Sequence, residues 1–391
     1  MEAKRTPAIN LDFAAATPVC QSALSAMMPY FSEKYYNPSA PYWPAKEVRD
    51  EYEAAKARLA QSIGAKAADL VVCSGATEAN NLAFTLVPEG TRVLILSTEH
   101  DAVRAPAGQC DFEEIKVDKN GVILLEDFRA KLSDRVSLVS ISLANNEIGT
   151  IQPMAEIAEI IREERLKRAK IGNNLPIFLH SDASQALTLI DVSVARLGVD
   201  MMTLNSAKIY GPKGVGALFA TPEAMKKLKP VVRGGGQENN LRSGTENVPL
   251  LIGFATAAVE AKEHLFSARK KYAELTTLLA QKLAENRIAP QFLGNNKTRL
   301  VNFLPISYPG LDAERLIYKL EENGVLISTG AACAARKGEK SRTLTAIGLS
   351  DKEIAGSLRI SLGATNTKEE ILRAAELINA AVNEEHERIY G

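Results

Sequence analysis

The sequence predicts an α/β fold: a mainly parallel, doubly wound sheet with a smaller α+β unit attached. Three observations carry that expectation. Between about residues 68 and 220, short apolar runs alternate with helical stretches. After about residue 250 the pattern changes to a long helical stretch followed by mixed strands and helices. The chain has 391 residues, too many for one small core.

The strand-like runs are Leu70–Cys73, Arg92–Leu96, Val136–Leu143, Ile177–His180, Met201–Leu204 and Val215–Phe219, with the clearest intervening helix predicted over Met154–Ala169. Sheets of this kind gather ligands where strands end and loops converge. Beyond them, Leu251–Asn286 reads as helix. Strands are expected near Leu300–Leu304, Val325–Ser328 and Leu358–Leu362, and helices over Asp312–Asn323 and Lys368–Arg388. Thr367, with Glu370 three residues on, is expected to cap the last of these. The expected division is a large domain over 21–251 and a small one built from 1–20 plus 252–391.

Composition narrows the function classes. Lys+Arg equals Asp+Glu at 47 each, and zero net charge argues against nucleic acid or an acidic membrane as the main partner. The four cysteines, Cys20, Cys73, Cys110 and Cys333, stand far apart with no CxxC and no ligand-like spacing. That excludes a disulfide framework and leaves no metal site expected. The first ten residues, MEAKRTPAIN, hold no apolar leader, and no stretch is long and apolar enough to span a bilayer. A reducing cytoplasm is the expected location.

Three segments converge on one chemistry. Ser74-Gly75-Ala76-Thr77-Glu78-Ala79-Asn80 follows a buried strand and opens a helix, where free backbone N–H groups and the dipole attract phosphate. It is neither a GK[ST] loop nor a GxGxxG turn, and taken alone it can be plain packing. Asp182, in His180-Ser181-Asp182-Ala183-Ser184-Gln185, ends a strand, where a carboxylate serves either a ligand or the next helix as N-cap. Lys208, in Ser206-Ala207-Lys208-Ile209-Tyr210-Gly211-Pro212-Lys213-Gly214, follows another strand end and precedes a Gly/Pro turn. Such a lysine is either a solvated charge or aimed into the cleft. A phosphate cup, a carboxylate and a lysine on three strand ends match the needs of pyridoxal 5'-phosphate (PLP): a grip, a partner for the ring nitrogen and an amine for covalent attachment.

These segments resemble the class V branch of PLP enzymes with the aspartate-aminotransferase-like transferase fold, and within it the cysteine desulfurases. The resemblance runs nearly end to end and includes Leu11-Asp12-Phe13-Ala14-Ala15, Thr98-Glu99-His100, Asn145-Asn146-Glu147-Ile148-Gly149, Lys208–Gly214, Arg242-Ser243-Gly244-Thr245 and Arg359-Ile360-Ser361-Leu362-Gly363. It implies that Lys208 forms the Schiff base, Asp182 pairs with the pyridine nitrogen and Gln185 hydrogen-bonds the phenolic oxygen. Gly75, Ala76 and Thr77 hold the phosphate, and His100 stacks on the ring and shuttles protons. Asn146 and Arg359 receive the substrate carboxylate, a task that suits the planar guanidinium fork. Thr245 is implied to reach the phosphate of a second subunit, so a homodimer is expected. On spacing alone His100 can be structural and Asn146 can cap a turn.

The reaction rests on Cys333, in Ser328-Thr329-Gly330-Ala331-Ala332-Cys333-Ala334-Ala335-Arg336-Lys337-Gly338-Glu339-Lys340. Small neighbours and nearby cations favour a reactive thiolate, whereas Cys73, inside Leu70-Val71-Val72-Cys73, reads as a buried hydrophobe. The resemblance implies that L-cysteine gives alanine and a persulfide on Cys333. The long spacing from Gly330 to Arg359 resembles the long-loop group, which passes sulfur to acceptors such as an iron–sulfur scaffold or a tRNA-thiolation protein. The alternative is another class V reaction, transamination or selenocysteine lysis, with Cys333 incidental. Where the family usually places histidine before the lysine, this chain has Ala207. Asn205 and Ser206, both polar, are expected to supply the missing phosphate contact.

Overall fold

The computed structural model describes residues 8–295, 297–329 and 340–391. Strand β1 (Ile9–Asn10) comes first. The next seven strands are β2 (Leu70–Cys73), β3 (Arg92–Leu96), β4 (Asp111–Ile115), β5 (Val136–Ser140), β6 (Phe178–Asp182), β7 (Met201–Asn205) and β8 (Gly216–Ala220). They form one sheet in the order β2-β8-β7-β6-β5-β3-β4. Strand β8 runs antiparallel to both neighbours, and every other pair is parallel. The central strands are buried at nearly every residue because helices cover both faces of such a sheet. Strand β4, which composition hides, is an edge strand. Its Asp111 and Glu113 pair with Arg92, and its Glu114 with Arg104, the charge pattern of a protected edge.

The remaining strands are β9 (Gln291–Phe292), β10 (Phe303–Ser307), β11 (Val325–Leu326), β12 (Ser328–Thr329) and β13 (Ser357–Ser361). Four of them form an antiparallel sheet in the order β12-β13-β10-β9. Strand β1 pairs in parallel with β11, placing the N-terminal strip beside the second sheet. The expected single helix over 251–286 is two helices, Val248–Glu263 and Leu265–Ala284, broken at His264. The first buries Leu251, Ile252, Phe254 and Ala258 in the same core as the seven-stranded sheet, so residue 252 lies inside a helix of that layer. Helix Lys368–Tyr390 carries the expected cap: the Thr367 hydroxyl accepts from Glu370 N, and the Glu370 carboxylate accepts from Thr367 N.

Candidate active site

Strands β2, β6 and β7 end on the same side of the sheet, with the start of β8 between β2 and β7, and a cavity of about 380 Å³ opens over these ends. Ala76, Thr77, His100, Asn146, Asp182, Gln185, Asn205, Lys208 and Arg359 all line it. A cavity of about 480 Å³ between Ser97, Arg104, Lys116 and Arg342 holds none of the other predicted residues among those described.

The floor is built from buried polar groups with assigned partners. Asp182 is 7% exposed; its Oδ1 accepts from Ser184 N at 2.9 Å and its Oδ2 from Asn80 Nδ2 at 2.8 Å. Both donors are neutral, which leaves the carboxylate charge for a cationic ring nitrogen. Under it, His180 lies between Ser140 Oγ and Thr203 Oγ1, and burial pushes its pKa down to about 4 against the pull of Asp182, so the imidazole is neutral. The turn expected to hold a phosphate opens helix Ala76–Phe84, whose first amides have no intrahelical acceptor. Gly216 permits this turn: a Cβ there would come within 2.8 Å of the Gly75 backbone.

Lys208 Nζ donates to the carbonyls of Ala14 at 2.8 Å and Ala15 at 2.5 Å, and Gln185 Nε2 donates to Ala14 O at 3.1 Å. The strip 11–17 therefore forms one wall. His100 caps helix Asp101–Ala107, its Nδ1 accepting from Ala102 N at 3.0 Å, so a neutral ring carries its proton on Nε2. Asn205 Oδ1 caps the turn that carries Lys208 by accepting from Ala207 N, leaving its amide nitrogen to donate. Ser206 is not brought to the cavity. Its hydroxyl is buried without a partner behind Gly211, where a Cβ would stand 2.2 Å from it. Thr245 is exposed and away from this chain's cavity. The donor set fits PLP: a helix-terminus cup with Asn205 beside it, an ionic partner at the floor and an amine on the wall.

Arg359 lies in β13 and is 6% exposed. Its Nη2 donates to Asp12 Oδ1 at 2.8 Å and its Nη1 to the Asn146 carbonyl at 3.1 Å. Cys333 lies outside the described residues. The segment that carries it leaves β12, where Ser328 pairs with Arg359, and returns at Ser341, whose hydroxyl donates to Glu147 Oε2 at 2.5 Å. Ser341 and Thr343, on the downstream side, line the cavity. Of the other thiols, Cys73 is buried and burial pushes its pKa well up, as expected of an inert core residue.

Four acids in the wall escaped the sequence reading: Asp12, Glu99, Asp101 and Glu147. Asp12, Glu99 and Glu147 stand in segments that carry the family resemblance, but single carboxylates beside apolar runs give no spacing signal. The Asn145–Gly149 turn carrying Glu147 requires its glycine, with φ +72° and Phe303 within 2.8 Å of any Cβ. Burial raises Glu99 from 4.5 to about 8, against hydrogen bonds from the amide and hydroxyl of Ser142; the charge of Asp182 raises it further. The folded chain thus holds a proton that the unfolded chain releases from pH about 4.5 upward. This contribution is most favourable below 4.5 and is lost as pH rises to about 8. Glu99→Gln should remove that part of the slope from urea-unfolding free energies of the cofactor-free protein measured between pH 5 and 8.

Comparison with known proteins agrees with this geometry. Residues 9–373 match the model of the family described as aminotransferase class-V. A curated relative, cysteine desulfurase IscS 1 of Archaeoglobus fulgidus, is 37% identical over 385 residues, covering 95% of this chain and 96% of its own. Among solved structures, a NifS-like protein superposes with a TM-score of 0.87 at 29% identity, covering 96% of this chain and 100% of that one. SspA, solved in complex with cysteine, superposes at 0.78 with 30% identity, covering 90% and 98% respectively.

Proposed function

The chain belongs to the class V aminotransferase family, and from that premise we propose that it is a PLP-dependent cysteine desulfurase that takes sulfur from L-cysteine to give alanine and a persulfide on Cys333. The observation that carries this reading is the convergence of Lys208, Asp182, His100 and Arg359 on one cavity, with Ser341 and Thr343, downstream of the Cys333 segment, in its wall.

When bound, PLP supplies an electron sink conjugated to the substrate Cα. The chain's own groups do the rest. Ala76, Thr77 and the Asn205 amide hold the phosphate, and Asp182 holds a proton on the ring nitrogen by charge. Gln185 turns from the Ala14 carbonyl to the phenolic oxygen. Arg359, steadied by the Asn146 carbonyl, orients the substrate by its carboxylate. Lys208 Nζ moves the Cα proton, and His100 Nε2 stands as a second acid or base. The Cys333 thiolate attacks the substrate sulfur, so that an S–S bond forms as the C–S bond breaks. Cysteine and a thiol become alanine and a persulfide with no external oxidant. The persulfide then serves acceptor proteins such as an iron–sulfur scaffold or a tRNA-thiolation protein. Among the described residues no helix is long and apolar enough to cross a membrane. We place the enzyme in the cytoplasm.

The test is product analysis. With PLP, L-cysteine and a reductant, alanine and sulfide should appear in equal amounts; keto-acid formation without sulfide would give the function to another class V reaction.

Thr245 has a role only in a symmetric dimer. Its loop is fastened at Glu238, which takes Lys56 Nζ at 2.7 Å, Tyr52 Oη at 2.5 Å and Val72 N at 2.8 Å, and at Arg242, paired with Glu78. Thr245, exposed beyond these anchors, is free to serve a second subunit's phosphate. Light scattering should give twice the chain mass. Thr245→Ala should weaken PLP retention by about ten- to a hundredfold, the equivalent of one hydrogen bond to a charged group.

A further inference from the structure

The guanidinium of Arg359 has an anionic partner inside the chain. Asp12 Oδ1 accepts from Nη2 at 2.8 Å, and the two side chains come from segments 347 residues apart. The pairing is set by the backbone. Leu11 O accepts from Ser361 N at 2.7 Å, Asp12 bridges Ser361 in parallel register, and Asp12 N donates to Asn10 Oδ1 at 2.9 Å. Asp12 is thus locked beside β13, two residues from Arg359, and cannot drift off as a surface carboxylate would. Arg359 keeps capacity to spare, since its Nε is buried without a partner.

A second carboxylate, Glu147, also feels Arg359. Burial raises the pKa of Asp12 against the pull of Arg359 and Lys208, and the 2.8 Å pair with Arg359 is the contact that favours its charge. An incoming carboxylate therefore meets a guanidinium already neutralised in part.

We propose that Asp12 is the specificity-determining counter-ion of the substrate port, admitting an amino acid that brings one carboxylate and a neutral side chain and rejecting one that brings a second acid. This rests on the desulfurase reading for the identity of the substrate, and deepens it. A thiol such as that of cysteine passes, and a sulfinate or a second carboxylate does not. Asp12 acts through Arg359 as a positioning residue: its oxygen fixes where the fork points while its charge caps the anionic load the port accepts.

The first experiment uses cofactor-free protein, titrated with propionate and with succinate by saturation-transfer NMR. Asp12→Asn keeps an acceptor oxygen and removes the charge, and it should bind propionate about three- to tenfold more tightly than wild type, with a larger gain for succinate. Asp12→Glu keeps the charge and should stay near wild type. In PLP-loaded protein, Asp12→Asn should raise kcat/KM for cysteine sulfinate relative to cysteine by about tenfold. Unchanged or weaker carboxylate binding in Asp12→Asn overturns the proposal. Carboxylate binding as expected, with no cysteine turnover in any of the three proteins, overturns the desulfurase reading and upholds Asp12 as the port's counter-ion.

Discussion

Cys333→Ser should bind PLP and L-cysteine as wild type does and release no sulfide above the uncatalysed rate. The serine hydroxyl is far less nucleophilic toward sulfur than a thiolate, and a serine–sulfur product would hold a weaker O–S bond in place of the S–S bond of a persulfide. On the described residues flanking the Cys333 segment, Ser328 pairs with Arg359 and Ser341 bonds Glu147. The measurement is methylene-blue sulfide assay alongside titration of cysteine into the PLP absorbance band. A wild-type rate in Cys333→Ser would make the thiol incidental and return the enzyme to transamination or selenocysteine lysis.

Lys208→Ala should cost at least about 10²–10⁴-fold in turnover, the contribution of a positioned proton-transfer group, and should also lose covalent attachment of the cofactor. Borohydride reduction followed by peptide mapping separates the two nearby lysines. Lys208 Nζ lies on the cavity wall against Ala14 and Ala15, whereas Lys213 Nζ is 3.5 Å from Thr17 O and does not line the cavity. Wild type should carry the label on Lys208. Label on Lys213 would break the assignment of the whole segment.

Much of the frame was legible because buried parallel strands are written as apolar runs: β2 and β3 fall where those runs begin and end. Strand β4 was not, since an edge strand carries charge and its alternation is lost among acids. The break at His264 was hidden by helix-favouring residues on both sides, and it moves our proposed boundary between the two domains from 252 to about 264. Within the site, Lys208, Asp182 and the Gly75–Thr77 turn announced themselves by standing at strand ends. Ser206 shows the limit of that logic. Polarity and position nominated it for the phosphate, but the short turn Ser206–Lys208 sends successive side chains in different directions, and the hydroxyl goes under Gly211. The cavity of this chain thus offers Asn205, not Ser206, in place of the histidine usual at 207. Asp12 was invisible for another reason: a contact across 347 residues leaves no local trace.

The pairing of β1 with β11, and of Asp12 with Ser361, also sets the order in which the molecule is finished. The large sheet is complete once residue 220 has left the ribosome, and Ala14, Ala15 and Thr17 find partners between residues 185 and 210, whereas Leu11 and Asp12 wait for Ser361 about 350 positions later. At 5–20 residues per second that wait is on the order of tens of seconds. A nascent chain can therefore hold a folded sheet with an unfinished mouth, and cofactor capture becomes a late event that depends on the arrival of the C-terminal strands. A chain truncated before Ser357 should accumulate as a colourless, folded large sheet, a form that quality control can recognise by its loose N-terminal strip.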